Sequence, residues 1–157
     1  CVEECGNGAI EIKDAKAVTR RERCSACGSC MDSCIHNARE LCGRTYTISE
    51  MVKELLKDRA FYETSGGGVT LSGGEVLAQP PDYVEALMHT LAQRGISVNV
   101  DTCGAVPFEV MERVLPYTDT FLYDLKIMNE KKHKEYTGRE NRQILKNLQQ
   151  LSRKGAA

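Results

Sequence analysis

Four cysteines stand at C-x2-C-x2-C-x3-C spacing in Cys24-Ser-Ala-Cys27-Gly-Ser-Cys30-Met-Asp-Ser-Cys34. Three thiolates from so tight a loop can reach one iron–sulfur cubane, while the fourth turns towards a neighbouring cluster. Gly28 suits a backbone that wraps a cluster with its amides pointing inward. A zinc site would need two knuckles separated by about 12–20 residues, and this run has no such spacer. The spacing points to [4Fe-4S] iron.

The second half of the same pattern occurs again at the start of the chain. Cys1-Val-Glu-Glu-Cys5-Gly-Asn-Gly-Ala9 aligns with Cys30-Met-Asp-Ser-Cys34-Ile-His-Asn-Ala38, an internal repeat. The first two cysteines of repeat one are then expected upstream of Cys1. In two-cluster ferredoxins the fourth cysteine of each run ligates the other cluster. Cys5 would join Cys24, Cys27 and Cys30, and Cys34 would join Cys1. Gly6 and Ile35 stand where a proline often follows the fourth cysteine, which removes no ligand.

A second set of chemically capable residues lies further on, at the ends of three apolar runs. These are Ser72-Gly73-Gly74-Glu75, Asp101-Thr102-Cys103-Gly104 and Asp124-Leu125-Lys126. Turn and cap chemistry would account for any one of them. Three in succession, with Asp-x-Lys inside an apolar strand, favour a site. In a β/α barrel the C-terminal face of the strands carries the active site. Leu71-Ser-Gly-Gly-Glu75 also resembles the signature segment of transporter-type ATPases, but the chain has no G-x-x-x-x-G-K-[ST] phosphate loop. The triple glycine Gly66 to Gly68 completes no dinucleotide fingerprint, because position 71 is Leu.

Helices and strands must alternate to hold these ends together. Thr47-Ile-Ser-Glu50 is a capping box, followed by Ile48, Met51, Val52, Leu55 and Leu56 at helical spacing. Val69 to Ser72, Ile96 to Asp101 and Thr120 to Leu125 read as strands. Between them, Pro80-Pro81-Asp82 opens a helix with Val84, Leu87, Met88 and Leu91 on one face and Gly95 as its stop. Pro107 opens another, carrying Phe108, Met111, Val114 and Leu115. A last helix buries Ile144, Leu145, Leu148 and Leu151. Successive strand–helix units imply parallel strands with right-handed crossovers.

Composition narrows the class. The chain has 157 residues, 41% of them hydrophobic, eight cysteines and a formal net charge of -1. That balance excludes phosphate neutralisation as the main driver of binding, so no nucleic-acid partner is expected. No apolar run approaches the ~20 residues of a membrane helix, and no secretion signal is visible. A cytoplasmic setting makes metal or redox chemistry the expected use of the thiols. The first residue is Cys1 rather than Met, which reads as a piece of something longer.

The whole pattern resembles the radical S-adenosylmethionine activating enzymes of glycyl radical enzymes, in the subgroup with a ferredoxin-like insert. The stretches that carry the resemblance are Ser65-Gly-Gly-Gly-Val-Thr-Leu-Ser-Gly-Gly-Glu75, Phe121-Leu-Tyr-Asp-Leu-Lys126 and His133-Lys-Glu-Tyr-Thr-Gly138, with Asn141 and Ile144-Leu-Lys-Asn-Leu148 after them. Each motif alone is weak; their combination is specific and covers essentially the whole chain. The implied fold is α/β, a partial (β/α) barrel over residues 44–157 behind a ferredoxin-like iron–sulfur insert over residues 1–43, whose first half is truncated. The implied cofactors are [4Fe-4S] clusters and S-adenosylmethionine.

The resemblance also implies roles. Gly73, Gly74 and Glu75 match the motif that holds the amino group of S-adenosylmethionine. Asp124 and Lys126 match the segment that orients the cofactor, Lys126 pairing with its carboxylate. Asp101 and Thr102 match positions beside it, where a monovalent cation can also bind. Cys1, Cys5, Cys24, Cys27, Cys30 and Cys34 match auxiliary-cluster ligands. The implied activity is reductive cleavage of S-adenosylmethionine, the resulting radical abstracting hydrogen from a glycine of a glycyl radical enzyme. An electron donor such as flavodoxin or ferredoxin is the other implied partner.

Two departures stand out. Val76 replaces the family's usual proline. The family's C-x3-C-x2-C motif, which holds the catalytic cluster, is not matched: Cys1-x3-Cys5 has its first spacing, but residue 8 is Gly. No catalytic residue is therefore assigned in this chain, which is expected to be inactive by itself. The competing readings are a ferredoxin-like electron-transfer module and another radical enzyme acting on a small molecule. Cys42 reads as a small buried hydrophobe, Cys103 as a residue able to approach the cofactor. His36, His89 and His133 read as surface or structural.

Overall fold

The computed structural model describes residues 2–156, so Cys1 lies outside the described residues. The chain forms two compact units, Cys1–Thr45 and Tyr46–Ala157.

In the first unit, β1 (Ile10–Lys13) pairs antiparallel with β2 (Lys16–Thr19), in the register Ile10↔Thr19 and Lys13↔Lys16. Asp14 and Ala15 turn the hairpin with φ of 49° and 59°, both left-handed as a two-residue primed turn requires. A short helix, α1 (Ser29–Asp32), begins behind Gly28 at φ 88°. The two halves of the sequence repeat fold alike. The amides of Cys5 and Cys34 bond back to the carbonyls of Val2 and Met31, and those of Gly8 and Asn37 to the carbonyls of Cys5 and Cys34. Gly8 and Asn37 share left-handed φ values of 57° and 47°. The amides of Ala9 and Ala38 then donate to the Cys5 and Cys34 sulfurs at 3.2 and 3.3 Å. Among the described residues of this unit only Ala9 and Ile10 are buried apolar side chains. A unit of this size cannot stand on so small an apolar core and needs another staple.

The second unit is built on three parallel strands in the order β3-β4-β5: β3 (Gly68–Leu71), β4 (Ser97–Thr102) and β5 (Thr120–Tyr123). Their registers place Leu71 beside Val100 and Thr102 beside Tyr123, so the strands end close together. The capping box of Thr47 and Glu50 starts α2 (Ile48–Leu55), and α3 (Arg59–Ser65) leads to β3. Two helices, α4 (Pro81–Ala92) and α5 (Phe108–Val114), connect the strands. Gly95, at φ 70°, ends the α4 segment, and the Ile96 amide closes back on the Leu91 carbonyl at 3.1 Å. After β5 come α6 (Glu130–Thr137) and α7 (Arg142–Arg153).

Strand alternation decides what faces where. Val98, Val100 and Thr102 of β4 are buried, while Ser97, Asn99 and Asp101 are half-buried on the other face. Val98 and Val100 pack with Leu87, Met88, Leu91, Met111 and Val114 in one core. Each such side chain contributes about 1.5–3 kcal/mol relative to exposure.

Cys42 is exposed, contrary to the expectation of a small buried hydrophobe. The segment around it, residues 38–47, has no helix or strand to bury it. His133 is structural as expected: it is buried, with Nδ1 bonded to the Arg139 carbonyl at 2.7 Å and the Thr137 hydroxyl at 3.0 Å.

Candidate functional site

The turn after β3 carries two consecutive left-handed glycines, Gly73 at φ 93° and Gly74 at φ 61°. A side chain at either position would be strained, and their amides take part in no backbone–backbone hydrogen bond among the described residues. The turn sends Glu75 back towards the end of β4. Its Oε1 accepts from the Thr102 hydroxyl at 2.7 Å and from the Leu77 amide at 3.2 Å. Its Oε2 accepts from the Cys103 amide at 2.9 Å. Three donors thus aim one carboxylate, the arrangement that stabilises a fixed anion able to receive a cationic group.

The remaining strand-end residues gather around it. Ser72 donates to Asp101 Oδ2 at 2.7 Å, tying the end of β3 to β4 on the face opposite Thr102. The Asp124 amide continues the ladder past β5 by donating to the Thr102 carbonyl at 2.9 Å. Lys126 pairs with the Asp124 carboxylate, which pulls its ammonium above the ordinary value; Cys103 and Asp101 add to the same field. Burial and then the Glu75 carboxylate push the Cys103 thiol up. Gly73, Gly74, Glu75, Asp101, Thr102, Asp124 and Lys126 therefore share one edge of the sheet.

Two residues to which the sequence assigned no site role, Asn147 and Tyr123, hold this edge from behind. Asn147 of α7 is fully buried, at 0% exposure. Its Nδ2 donates to the carbonyls of Gly104 and Val106 at 2.9 and 2.8 Å. Tyr123 donates to the Ile144 carbonyl at 2.7 Å, and burial raises its phenol to about 12. The signal for Asn147 lies in its place: it is three residues from Ile144 and four from Leu151, a polar residue on the buried stripe of an amphipathic helix.

In the first unit, Cys5, Cys24, Cys27, Cys30 and Cys34 all line one cavity of about 750 Å³. All five are free thiols. Ser29 and Ser25 lower Cys27, and the Ala38 amide lowers Cys34, so both favour the thiolate. Among the described residues no three His, Cys, Asp or Glu groups converge on a single ion site. The five thiols line a volume large enough for a multi-atom cluster. The donor set, its amide-to-sulfur bonds and the scant apolar core all fit an iron–sulfur group.

Residues 21–156 match the family described as the Radical SAM superfamily. The chain belongs to that superfamily. Radical SAM proteins imply a [4Fe-4S] cluster and S-adenosylmethionine. The chain is 46% identical to the trans-4-hydroxy-L-proline dehydratase activating enzyme of Clostridioides difficile, over 97% of this chain and 60% of that protein. It is 41% identical to the choline trimethylamine-lyase activating enzyme of Oleidesulfovibrio alaskensis, over 92% and 56%. Against the isethionate sulfite-lyase activating enzyme of Nitratidesulfovibrio vulgaris the figures are 37%, 96% and 50%. A solved domain of a pyruvate-formate lyase-activating enzyme from Bacteroides vulgatus superposes with a TM-score of 0.53 at 32% identity, covering 58% of this chain and 56% of that one. The chain thus spans about half to three-fifths of the curated relatives it matches. Among the described residues no helix is long and apolar enough to cross a membrane.

Proposed function

We propose that this chain is the S-adenosylmethionine-binding part of a radical SAM activase whose protein substrate is a glycyl radical enzyme. The observation that carries the reading is the Glu75 carboxylate, held by three donors at the shared C-terminal edge of three parallel strands. The relatives' names, activating enzymes throughout, support the same reading. Residues 44–157 are read as part of a (β/α) barrel and residues 1–43 as a ferredoxin-like insert.

Within this reading Glu75 receives the ammonium of S-adenosylmethionine, and the open turn at Gly73 and Gly74 lets backbone amides approach it. Lys126 exchanges its bond with Asp124 for the ligand carboxylate, while Asp101 and Thr102 fix the floor beside it. Cys5, Cys24, Cys27 and Cys30 would hold one [4Fe-4S] cluster, and Cys34 with Cys1 would belong to a second. These clusters would be auxiliary; the radical that takes hydrogen from a glycine of the partner would come from S-adenosylmethionine on a cluster held by the family's C-x3-C-x2-C motif, which this chain does not match. Reducing power would come from a flavodoxin- or ferredoxin-type donor in the cytoplasm.

The test is binding of radiolabelled S-adenosylmethionine to the 157-residue chain by equilibrium dialysis, with Glu75→Gln alongside. Saturable binding lost in the variant is expected; equal retention by both would overturn the site. For the activity, a longer protein containing this segment, given reductant and a glycyl radical enzyme, should produce the glycyl radical signal in electron paramagnetic resonance.

A further inference from the structure

Glu75 is aimed chiefly by the end of β4 and the loop that follows it, residues 103–107 before α5. Thr102 and Cys103 supply two of its three donors. Thr102 is itself fixed by accepting from the Gly104 amide at 3.0 Å. The loop has no regular structure of its own over residues 103–107, so something else must set its position.

That support comes from α7. Both protons of the Asn147 amide are used, one on the Gly104 carbonyl and one on the Val106 carbonyl. The amide orientation is fixed by its other end, where Oδ1 accepts from Gln143 Nε2 at 2.8 Å. The sequence separation is 43 residues to Gly104 and 41 to Val106, so this is a tertiary clamp rather than local capping. The loop is also pressed on Tyr123: a Cβ on Gly104 would fall 1.7 Å from the phenol oxygen. The same phenol is anchored to α7 through the Ile144 carbonyl.

We propose that Asn147 is a positioning residue for Glu75, acting through the β4–α5 loop, so that α7 sets the aim of the carboxylate without touching the ligand. The chain of contacts runs from Gln143 to Asn147, to the carbonyl of Gly104, through the Gly104 amide to the Thr102 hydroxyl, and on to Glu75. An apolar residue at 147 would leave two buried carbonyls without donors, and the loop would move to find water. The expectation for the ligand rests on the reading of Glu75 as the S-adenosylmethionine contact. The expectation for the loop does not.

The experiment uses the 157-residue chain with two readouts, iodoacetamide labelling of Cys103 resolved by peptide mass spectrometry, and S-adenosylmethionine affinity by equilibrium dialysis. Asn147→Ala is expected to speed Cys103 labelling and to weaken binding, each by about tenfold, the effect of losing a buried donor. Leu91→Ala, a core truncation on α4, is the control: it lowers the melting temperature and changes neither readout under native conditions. Gln143→Ala, at an exposed position, tests the clamp where Asn147→Ala does not fold, and should shift both readouts in the same direction by a smaller factor. If Asn147→Ala folds and Cys103 labelling is unchanged, or if both readouts merely track melting temperature in all variants, the positioning role is overturned. If wild type does not bind S-adenosylmethionine, the functional reading fails, and the labelling contrast between Asn147→Ala and Leu91→Ala still decides the clamp.

Discussion

The Thr102 hydroxyl donates to Oε1 of Glu75 at 2.7 Å, joining residues 27 apart in sequence and the ends of two adjacent strands. Thr102 is 2% exposed, and its oxygen also accepts from the Gly104 amide. The hydroxyl therefore has one free orientation, and its proton points at the carboxylate. A buried hydroxyl spent this way links the stability of the β4 end to the geometry of the turn after β3.

Replacing Glu75 with Gln keeps the shape and breaks this arrangement. A carboxamide has a single acceptor oxygen, and its NH2 would face a donor wherever it turned. Glu75→Gln is expected to lose about 1–3 kcal/mol of stability, the cost of a buried donor left unsatisfied, and most of its S-adenosylmethionine affinity. Thr102→Ser should retain both, while Thr102→Val should lie between. Chemical denaturation and equilibrium dialysis on the three variants give the order directly.

Gly104 is a sharper case than the other left-handed glycines. Its φ is 70°, and an added methyl would meet the Tyr123 oxygen at 1.7 Å and ring carbon at 2.2 Å. Gly73, at φ 93°, has nothing within 4 Å of its missing Cβ. Gly104→Ala should therefore cost about 3 kcal/mol or more, strain and overpacking together, and Gly73→Ala only about 1–2 kcal/mol from strain. Urea midpoints of the two variants test the difference, and equal losses would contradict it.

Tyr123 gives a pH signature. Its phenol is raised to about 12 in the fold, chiefly by burial, against about 10 in an unfolded chain. Between these values the unfolded chain has already lost the proton that the folded chain keeps. Stability from this group is complete below about pH 10 and falls as pH rises towards about 12. Tyr123→Phe should lose about 1 kcal/mol at neutral pH, from the bond to Ile144, and should show a shallower alkaline decline. Urea unfolding of both proteins across that range tests the slope.

The sheet was legible because Val69–Ser72, Ile96–Asp101 and Thr120–Leu125 are apolar runs separated by helices with clear starts and stops. The observed strands shift by a residue or two. Ile96, for instance, is spent closing the C-terminus of the α4 segment before β4 begins. Two helices of the second unit gave no signal for a physical reason: α3 buries no residue and α6 buries only His133, so neither carries an apolar stripe. The β1–β2 hairpin turns on Asp14-Ala15, without the Asn-Gly or Asp-Gly pair that marks such turns. At the site, the glycines and charged residues were visible as types at strand ends. The clamp of Asn147 was not, since reading α7 for apolar spacing alone skips a polar residue on the buried stripe.

The cysteine cavity carries the last prediction. Five thiols line it, Cys5 and Cys34 among them, and one cubane takes four cysteines. The folded repeat makes Cys5 and Cys34 local equivalents, each with an alanine amide on its sulfur. If the ligand exchange of two-cluster ferredoxins holds here, Cys5 would complete the cluster of Cys24, Cys27 and Cys30, while Cys34 would serve the other with Cys1. Anaerobic reconstitution of the 157-residue chain should then yield about four tightly held irons, not eight, because two thiolates hold a cubane poorly. Cys5→Ser should strip that cluster although it is remote in sequence from Cys24, and Cys34→Ser should leave it nearly intact. If Cys34 instead completes its own run, the two variants exchange phenotypes. Iron content and the reduced-state paramagnetic resonance signal of both variants separate the two ligand sets.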